Sequence, residues 1–489
     1  MNVILVITDT MRRDHLGLYG CERVKTPNLD RLAEQSCVFE NAYAASFPTV
    51  PNRMDVMTGR FTFIEAGWQP LPRDATVLAE VLGAAGYTTM MIADTPHILA
   101  NGYLFQRGFS GWEWIRGQEN DRWRTAPADP PLPADAGKLR HPPTVKQHLR
   151  NTATRRGEQD CFCARTMQTA CDWLGENRDR DFFLYVDTFD PHEPWDAPQS
   201  YVDMYDPGYA GEKVTYPVYG TCDYMTPREL EHMRALYAAE VSLVDAWVGR
   251  LLERVEELGL LEDTAIIYTT DHGFYHGERG WTGKTFIWEG GSADMPLYSE
   301  VARIPLMIRL PQGARGKRLS CFAQPPDLMP TVLDLMGVQT PPTVQGMSLV
   351  PAMQGGRDFT RPLAISTPSL AIAPSGGRPT TITEGDWSLV YYGAPGGQLM
   401  SHLSRAVDDI PRHAVVPTDG VPGPELYDLE HDPAQKYNVY QESRDIAVKL
   451  HADHVHFLER LGMREDFLAH RRQLEPGTIL GGLFDEHLG

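Results

Sequence analysis

The sequence predicts an α/β fold: a mostly parallel sheet sandwiched by helices, followed by a smaller α+β C-terminal subdomain. Three observations lead there. Short apolar or β-branched runs at Val3 to Thr8, Thr88 to Ala93, Phe182 to Val186 and Thr264 to Thr270 read as buried parallel strands. Helical patterns lie between them, and alternation of this kind places helices over a mostly parallel sheet. Around Ser366 to Tyr392 the Gly and Pro content rises, and short β runs replace the alternation.

Taken in order, Met1-Asn2-Val3-Ile4-Leu5-Val6-Ile7-Thr8-Asp9 has no basic stretch and no cleavage site, so it reads as the first strand of a cytoplasmic protein. The segment Arg107 to Ala170 is rich in Pro, Arg and Asp with weak periodicity, and is expected to cover the site as a long insertion. Cys161, Cys163 and Cys171 look like a metal cluster, but Cys163, Met167, Ala170, Cys171 and Leu174 share one helical face. A buried helix with small apolar thiols fits that spacing better. The clearest helix carries Leu236, Leu243, Trp247, Leu251, Val255 and Leu258 and stops at Gly259. A last helix is expected over roughly Ser443 to Leu461, with His451, His454 and His456 at a surface or interface. The expected units are a catalytic domain over 1–360, a subdomain with a small antiparallel sheet and a helix over 361–465, and a tail over 466–489. A homo-oligomer is expected, with that tail as a candidate contact.

Composition narrows the partners. With 489 residues and 42% hydrophobic content, the chain can bury a large core. The net charge of -20 argues against nucleic acid or an acidic membrane surface. Apolar runs are strand-sized, so no membrane span is expected. Seven cysteines form no disulfide framework. The expected partner is a small anionic ester, drawn in by a local positive site.

Each of the four strands ends in an acid: Asp9, Asp94, Asp187 and Asp271. Ligands of open α/β sheets bind outside the carboxyl ends of the strands, so the four acids suggest one shared site. Thr49-Val50-Pro51-Asn52-Arg53, followed by Met57-Thr58-Gly59-Arg60, adds an anion site. Pro51 suits the first turn of a helix and Gly59 its end. The implied helix, roughly Pro51 to Thr58, starts beside the Thr49 hydroxyl. A helix N-terminus offers free N–H groups and partial positive charge to an oxyanion. Arg53 adds a fork for two anionic oxygens. The alternative is that Thr49 merely caps the helix.

The Thr49 stretch resembles the nucleophile motif of the sulfatases, in the alkaline phosphatase superfamily. That motif is Cys or Ser, any residue, Pro, any residue, Arg, and then Thr-Gly-Arg. Every fixed position matches except the first. Sulfatases oxidise their Cys or Ser to formylglycine, and Thr cannot form that aldehyde because its β-carbon carries a methyl group. The resemblance therefore implies an enzyme without formylglycine and shifts the reading from sulfate towards phosphate. Glu425-Leu426-Tyr427-Asp428-Leu429-Glu430-His431-Asp432-Pro433, with Asn438 after it, is similar to the sulfatase C-terminal signature.

The same resemblance assigns the other site residues. Asp9 and Asp271-His272 resemble the metal ligands of the superfamily, which implies a divalent ion (Mn, Ca or Zn) on Asp9, Asp271 and His272 with the Thr49 oxygen joining them. Sulfatases usually carry a second acid beside the first, where this chain has Thr10. Phosphonate monoester hydrolases also lack an acid there and are the closer branch. Lys284, twelve residues after His272, falls where both groups place an anion-binding Lys. Asp190-Pro191-His192-Glu193-Pro194-Trp195 resembles the Pro-His-x-Pro element, so His192 would bind the ester and could protonate the leaving group. Asp94-Thr95-Pro96-His97 stands where sulfatases have Gly-Lys-Trp-His. His97 matches and Thr95 replaces the Lys, as in phosphonate monoester hydrolases, with Thr95 expected to touch substrate. His276 is a further candidate to line the pocket or to hold a second metal.

Together these imply a metal-dependent hydrolase of phosphodiesters or phosphonate monoesters acting through a phosphothreonine. Rival readings are a sulfatase using Thr directly, a two-metal nucleotide phosphodiesterase-like enzyme, and an inactive sulfatase-like binding protein.

Overall fold

Side-chain alternation along the first strand decides the architecture. In Asn2–Thr8 every residue is buried. Ile4 and Val6 pack into one apolar cluster, and Val3, Leu5 and Ile7 into another. Successive side chains of a strand point to opposite faces, so a strand apolar at every position needs cover on both. The computed structural model, which describes residues 1–288, 291–356, 361–371, 378–393 and 423–475, supplies it. On one face lie the helices Pro27–Glu34, Phe162–Asn177 and Pro227–Glu257. On the other lie Thr49–Thr58, Leu78–Ala84 and Leu328–Leu335.

The main sheet has eight strands. From one edge they run Lys317–Ala323, Cys37–Ala42, Leu306–Arg309, Thr264–Thr270, Asn2–Thr8, Phe182–Thr188, Thr88–Ala93 and Gly111–Trp114. Leu306–Arg309 is antiparallel to both of its neighbours, and the other pairs are parallel. The fold is thus the mixed α/β sheet that the alternation predicts.

A second sheet is antiparallel through Glu425–Asp428, Trp387–Tyr391, Thr380–Glu384 and Ala364–Pro368. Its last member is Ser46–Phe47, parallel to Ala364–Pro368 through Thr367↔Ser46 and Pro368↔Phe47. The C-terminal region therefore grips the chain three residues before Thr49. Helix Arg444–Arg460 packs Ala447 and Leu450 on Ile382, Leu389 and Tyr391.

One expectation changes. His451 and His454 are buried against Tyr391, whereas His456 is exposed. The first residues of the span 466–489 are packed. Phe467 and Leu468 pack with Phe61, Phe63 and Phe457, and Arg471 is buried. Residues 476–489 lie outside the described residues. Among the described residues, no helix is long and apolar enough to cross a membrane. The thiols of Cys161, Cys163 and Cys171 are free and buried on or beside the Phe162–Asn177 helix, as its periodicity predicts.

Candidate active site

Register brings the strand-end acids to one level. Ile7 pairs with Asp187 and Thr8 with Thr270, so Asp9, Asp187 and Asp271 emerge together. Arg53, fully buried, reaches all three. Its Nε and Nη2 donate to Asp187 at 3.1 and 3.0 Å, and its Nη1 lies 3.0 Å from Asp9 Oδ2 and bonds Asp271 Oδ2. Arg53 was expected to fork onto substrate oxygens. Instead the carboxylates hold it beneath the cavity, because a buried guanidinium needs paired charge. Asp94 leaves the group: it accepts from Thr166 and Thr188 at 2.7 and 2.9 Å and from the Phe189 N–H.

Asp9, Asp271 and His272 have potential ligand atoms within 4.8 Å of one another. Three observations test whether they fit a divalent ion. His272 Nδ1 donates to the Gly273 carbonyl at 3.0 Å, which fixes the tautomer and leaves the Nε2 lone pair 3.4 Å from Asp271 Oδ2. Burial, followed by the Lys284 charge, holds the His272 pKa well below its usual value, so the ring is neutral as a ligand must be. Burial and the neighbouring Asp271 charge push the Asp9 carboxyl up, a repulsion that a cation relieves. The donor set fits.

Thr10, beside Asp9, has φ 62, a strained conformation for a β-branched residue. Its N–H donates to Asp271 Oδ1 at 3.0 Å and its hydroxyl to Asp9 Oδ1 at 2.6 Å. The position that is acidic in most sulfatases thus orients both carboxylates here.

Helix Thr49–Thr58 begins two residues earlier than Pro51 suggests, with Pro48 at the N-cap position and no side-chain cap. The Thr49 hydroxyl is therefore not spent on capping. Asp55 anchors the segment by accepting from the Ser46 N–H at 2.8 Å and the Thr62 N–H at 2.9 Å. Asn52 Nδ2 ties the helix to the Asp271 carbonyl at 3.1 Å. At the far end Gly59 has φ 64, and a Cβ there would lie 2.8 Å from Val344.

Thr49 opens onto a cavity of about 1030 Å³ whose wall also holds His97, His192 and Lys284. Lys284 Nζ stands 3.4 Å from Thr10 Oγ1, 3.5 Å from His272 Nε2 and 3.9 Å from Asp9 Oδ1. It links the cavity to the acidic cluster and is not a solvated surface lysine. His192 stacks on Phe189 at 3.9 Å and gives its Nδ1 proton to the Glu193 carbonyl at 2.6 Å. Burial, then the Lys284 and Arg140 charges, keeps its pKa well below the usual value.

Two expected substrate contacts lie elsewhere. Thr95 is buried and donates its hydroxyl to Asp187 Oδ1 at 2.5 Å, so it serves the Arg53 cluster. His276 is buried among Tyr237, Phe274 and Trp195, with Arg12 Nη1 3.4 Å from its Nδ1, and does not line the cavity.

The sequence reading missed Glu119, Arg140, Tyr216, Tyr219 and Trp68, all on the cavity wall. Arg140 packs 4.2 Å from the ring centroids of both tyrosines and 3.0 Å from Glu119 Oε1. The expected cover, Arg107 to Ala170, does contribute through Glu119 and Arg140.

The pattern of the family described as Sulfatase matches residues 1–338. The N-acetylglucosamine-6-O-sulfatase of Bacteroides thetaiotaomicron is 27% identical over 417 residues, 72% of this chain and 71% of its own. The multifunctional alkaline phosphatase superfamily protein PehA of Trinickia caryophylli is 25% identical over 508 residues, 90% of this chain and 91% of its own. The crystal structure of the phosphonate monoester hydrolase of Agrobacterium radiobacter superposes with a TM-score of 0.68 at 21% identity, over 94% of this chain and 95% of that one. This last likeness speaks for the fold alone.

Proposed function

The chain belongs to the sulfatase family of hydrolases, and from that premise we propose that it cleaves phosphodiesters or phosphonate monoesters through a covalent phosphothreonine. One observation carries the reading. Thr49, which cannot become formylglycine, heads a helix on the cavity wall with its hydroxyl free of capping duty.

Asp9, Asp271 and His272 would hold the divalent ion that family members generally use, and when bound it supplies positive charge that lowers the pKa of the Thr49 hydroxyl. Thr49 Oγ forms a bond to phosphorus as the bond to the leaving oxygen breaks in line. Lys284 stabilises charge on the equatorial oxygens. Arg53, Thr10 and Thr95 hold the carboxylates in place from below. Water then displaces Thr49 from phosphorus. A formylglycine hydrate would instead expel its ester by regenerating the aldehyde, an exit closed to Thr.

A second reading, direct sulfate-ester hydrolysis, is favoured by relatives whose names are sulfatases, among them an arylsulfatase at 27% identity. Acid quench during turnover, followed by peptide mass analysis, tests the first reading. A phosphoryl group on the peptide that carries Thr49 supports it. An unmodified peptide under steady turnover of a phosphodiester counts against it.

A further inference from the structure

A second cavity, of about 810 Å³, adjoins the one that holds Thr49. Asn120, His141 and Thr144 line both, so one ligand can occupy the two together. Charge sets the second cavity apart. In a chain of net charge -20 its wall carries three arginines, Arg116, Arg122 and Arg150, against one carboxylate, Asp121.

That carboxylate is already engaged. Asp121 is buried and accepts from Arg116 Nε and Nη2 at 2.7 and 2.6 Å and from the Gly117 N–H at 2.8 Å. Arg150 is matched by Asp129. Arg122 is exposed, and among the described residues no hydrogen bond or ion pair engages its side chain. The wall that carries it is fixed. Asn151 Nδ2, on helix Pro142–Thr152, donates at 2.8 Å to the carbonyls of both Gly117 and Asp121. Arg116 also stacks on Trp114, its guanidinium 4.1 Å from the ring centroid. A free guanidinium on a preformed wall suits an oxyanion, which its planar fork can bind through two hydrogen bonds.

The catalytic cavity has no comparable cation free. Arg140 and His97 each lie 3.0 Å from an oxygen of the buried Glu119 carboxylate, and Lys284 stands over the Asp9 cluster. A second negative group on a substrate would therefore meet a carboxylate in the first cavity and arginines in the second.

We propose that the second cavity receives an anionic group, a carboxylate or a phosphate, at the far end of the alcohol that the ester releases. Arg122 is the residue that selects it. The substrate is then an extended ester with two negative ends, one reacting at Thr49 and one held at Arg122. This rests on the reading of Thr49 as the reacting residue.

The test uses alkyl esters of the class that wild type hydrolyses. Their alcohol chain is lengthened stepwise and ends in methyl, ammonium, carboxylate or phosphate. At the best length an anionic end should raise kcat/KM over methyl by about tenfold or more, chiefly through KM. The ammonium end should fall below methyl. The anion with the larger ratio identifies the group. The free alcohols, used as competitive inhibitors, should rank in the same order. Added salt should shrink the ratio, because Arg122 is exposed. Arg122→Ala should cut it to about twofold, and Arg122→Glu should favour the ammonium end. Equal kcat/KM for all ends at every length, or an anion preference that survives Arg122→Glu, would overturn the proposal. If wild type cleaves only sulfates, the phosphorus reading fails, and alkyl sulfates with the same ends test the cavity.

Discussion

Lys284 Nζ lies 3.5 Å from His272 Nε2, so a cavity lysine stands beside the nitrogen offered to a cation. The two residues are twelve apart in sequence, and between them the Tyr275–His276 strand pairs antiparallel with Trp281–Gly283. Thr49 lines the same cavity wall as this lysine.

Thr49→Ala should lower kcat by roughly 10³-fold or more, because no other hydroxyl takes its place. The hydroxyl caps nothing, so unfolding stability should change by about 1 kcal/mol or less. Thr49→Ser should retain part of the activity. Steady-state kinetics beside urea unfolding check both, and wild-type kcat in Thr49→Ala would reduce Thr49 to a structural residue.

Asp271→Asn and His272→Ala should lose metal and activity together. Elemental analysis of purified wild type should find one divalent ion per chain, and each variant should fall well below that. Full metal content in either variant removes that residue from the ligand set.

Arg53→Met should destabilise the fold by about 3–5 kcal/mol, because it strands the buried carboxylates of Asp9, Asp187 and Asp271. Urea unfolding measures this. A loss below about 1 kcal/mol would mean that the carboxylates are compensated some other way.

His451 sets an acid limit on stability. Burial lowers its pKa to about 4, against 6.5 for the ordinary side chain, while its Nε2 donates to the Arg471 carbonyl at 2.8 Å. Between those values the unfolded chain binds the proton and the folded chain does not. The contribution is therefore complete above pH 6.5 and is lost as pH falls towards 4, by up to about 3 kcal/mol. His451→Gln should flatten that part of the stability–pH curve. An unchanged slope would show that other groups carry it.

The four central strands were legible because burial on both faces leaves uninterrupted apolar runs with a polar residue where each run ends. Leu306–Arg309, its neighbour Cys37–Ala42 and the edge strand Lys317–Ala323 were not. They are short or partly exposed, and no period marks them. The nucleophile motif supplied Arg53 but not its direction, which is set by three carboxylates from strands far apart in sequence. Glu119 and Arg140 lie in a Pro-rich, weakly periodic segment, and only the fold brings them to His97 and Tyr219. The burial of His451 and His454 was readable, since Ala447, Leu450, His451, His454 and Leu458 fall at helical spacing on one face.

The central claim, that Thr49 makes this family member a phosphorus-ester hydrolase, is tested most directly by kcat/KM on a matched p-nitrophenyl series at fixed pH and metal. The series comprises a phosphodiester, a phosphonate monoester, a phosphomonoester and a sulfate. The phosphodiester or the phosphonate monoester should exceed the sulfate, with protein from any expression host and an unmodified Thr49 by intact mass. A sulfate ester turned over faster than both would contradict it and make the protein a sulfatase with a threonine nucleophile.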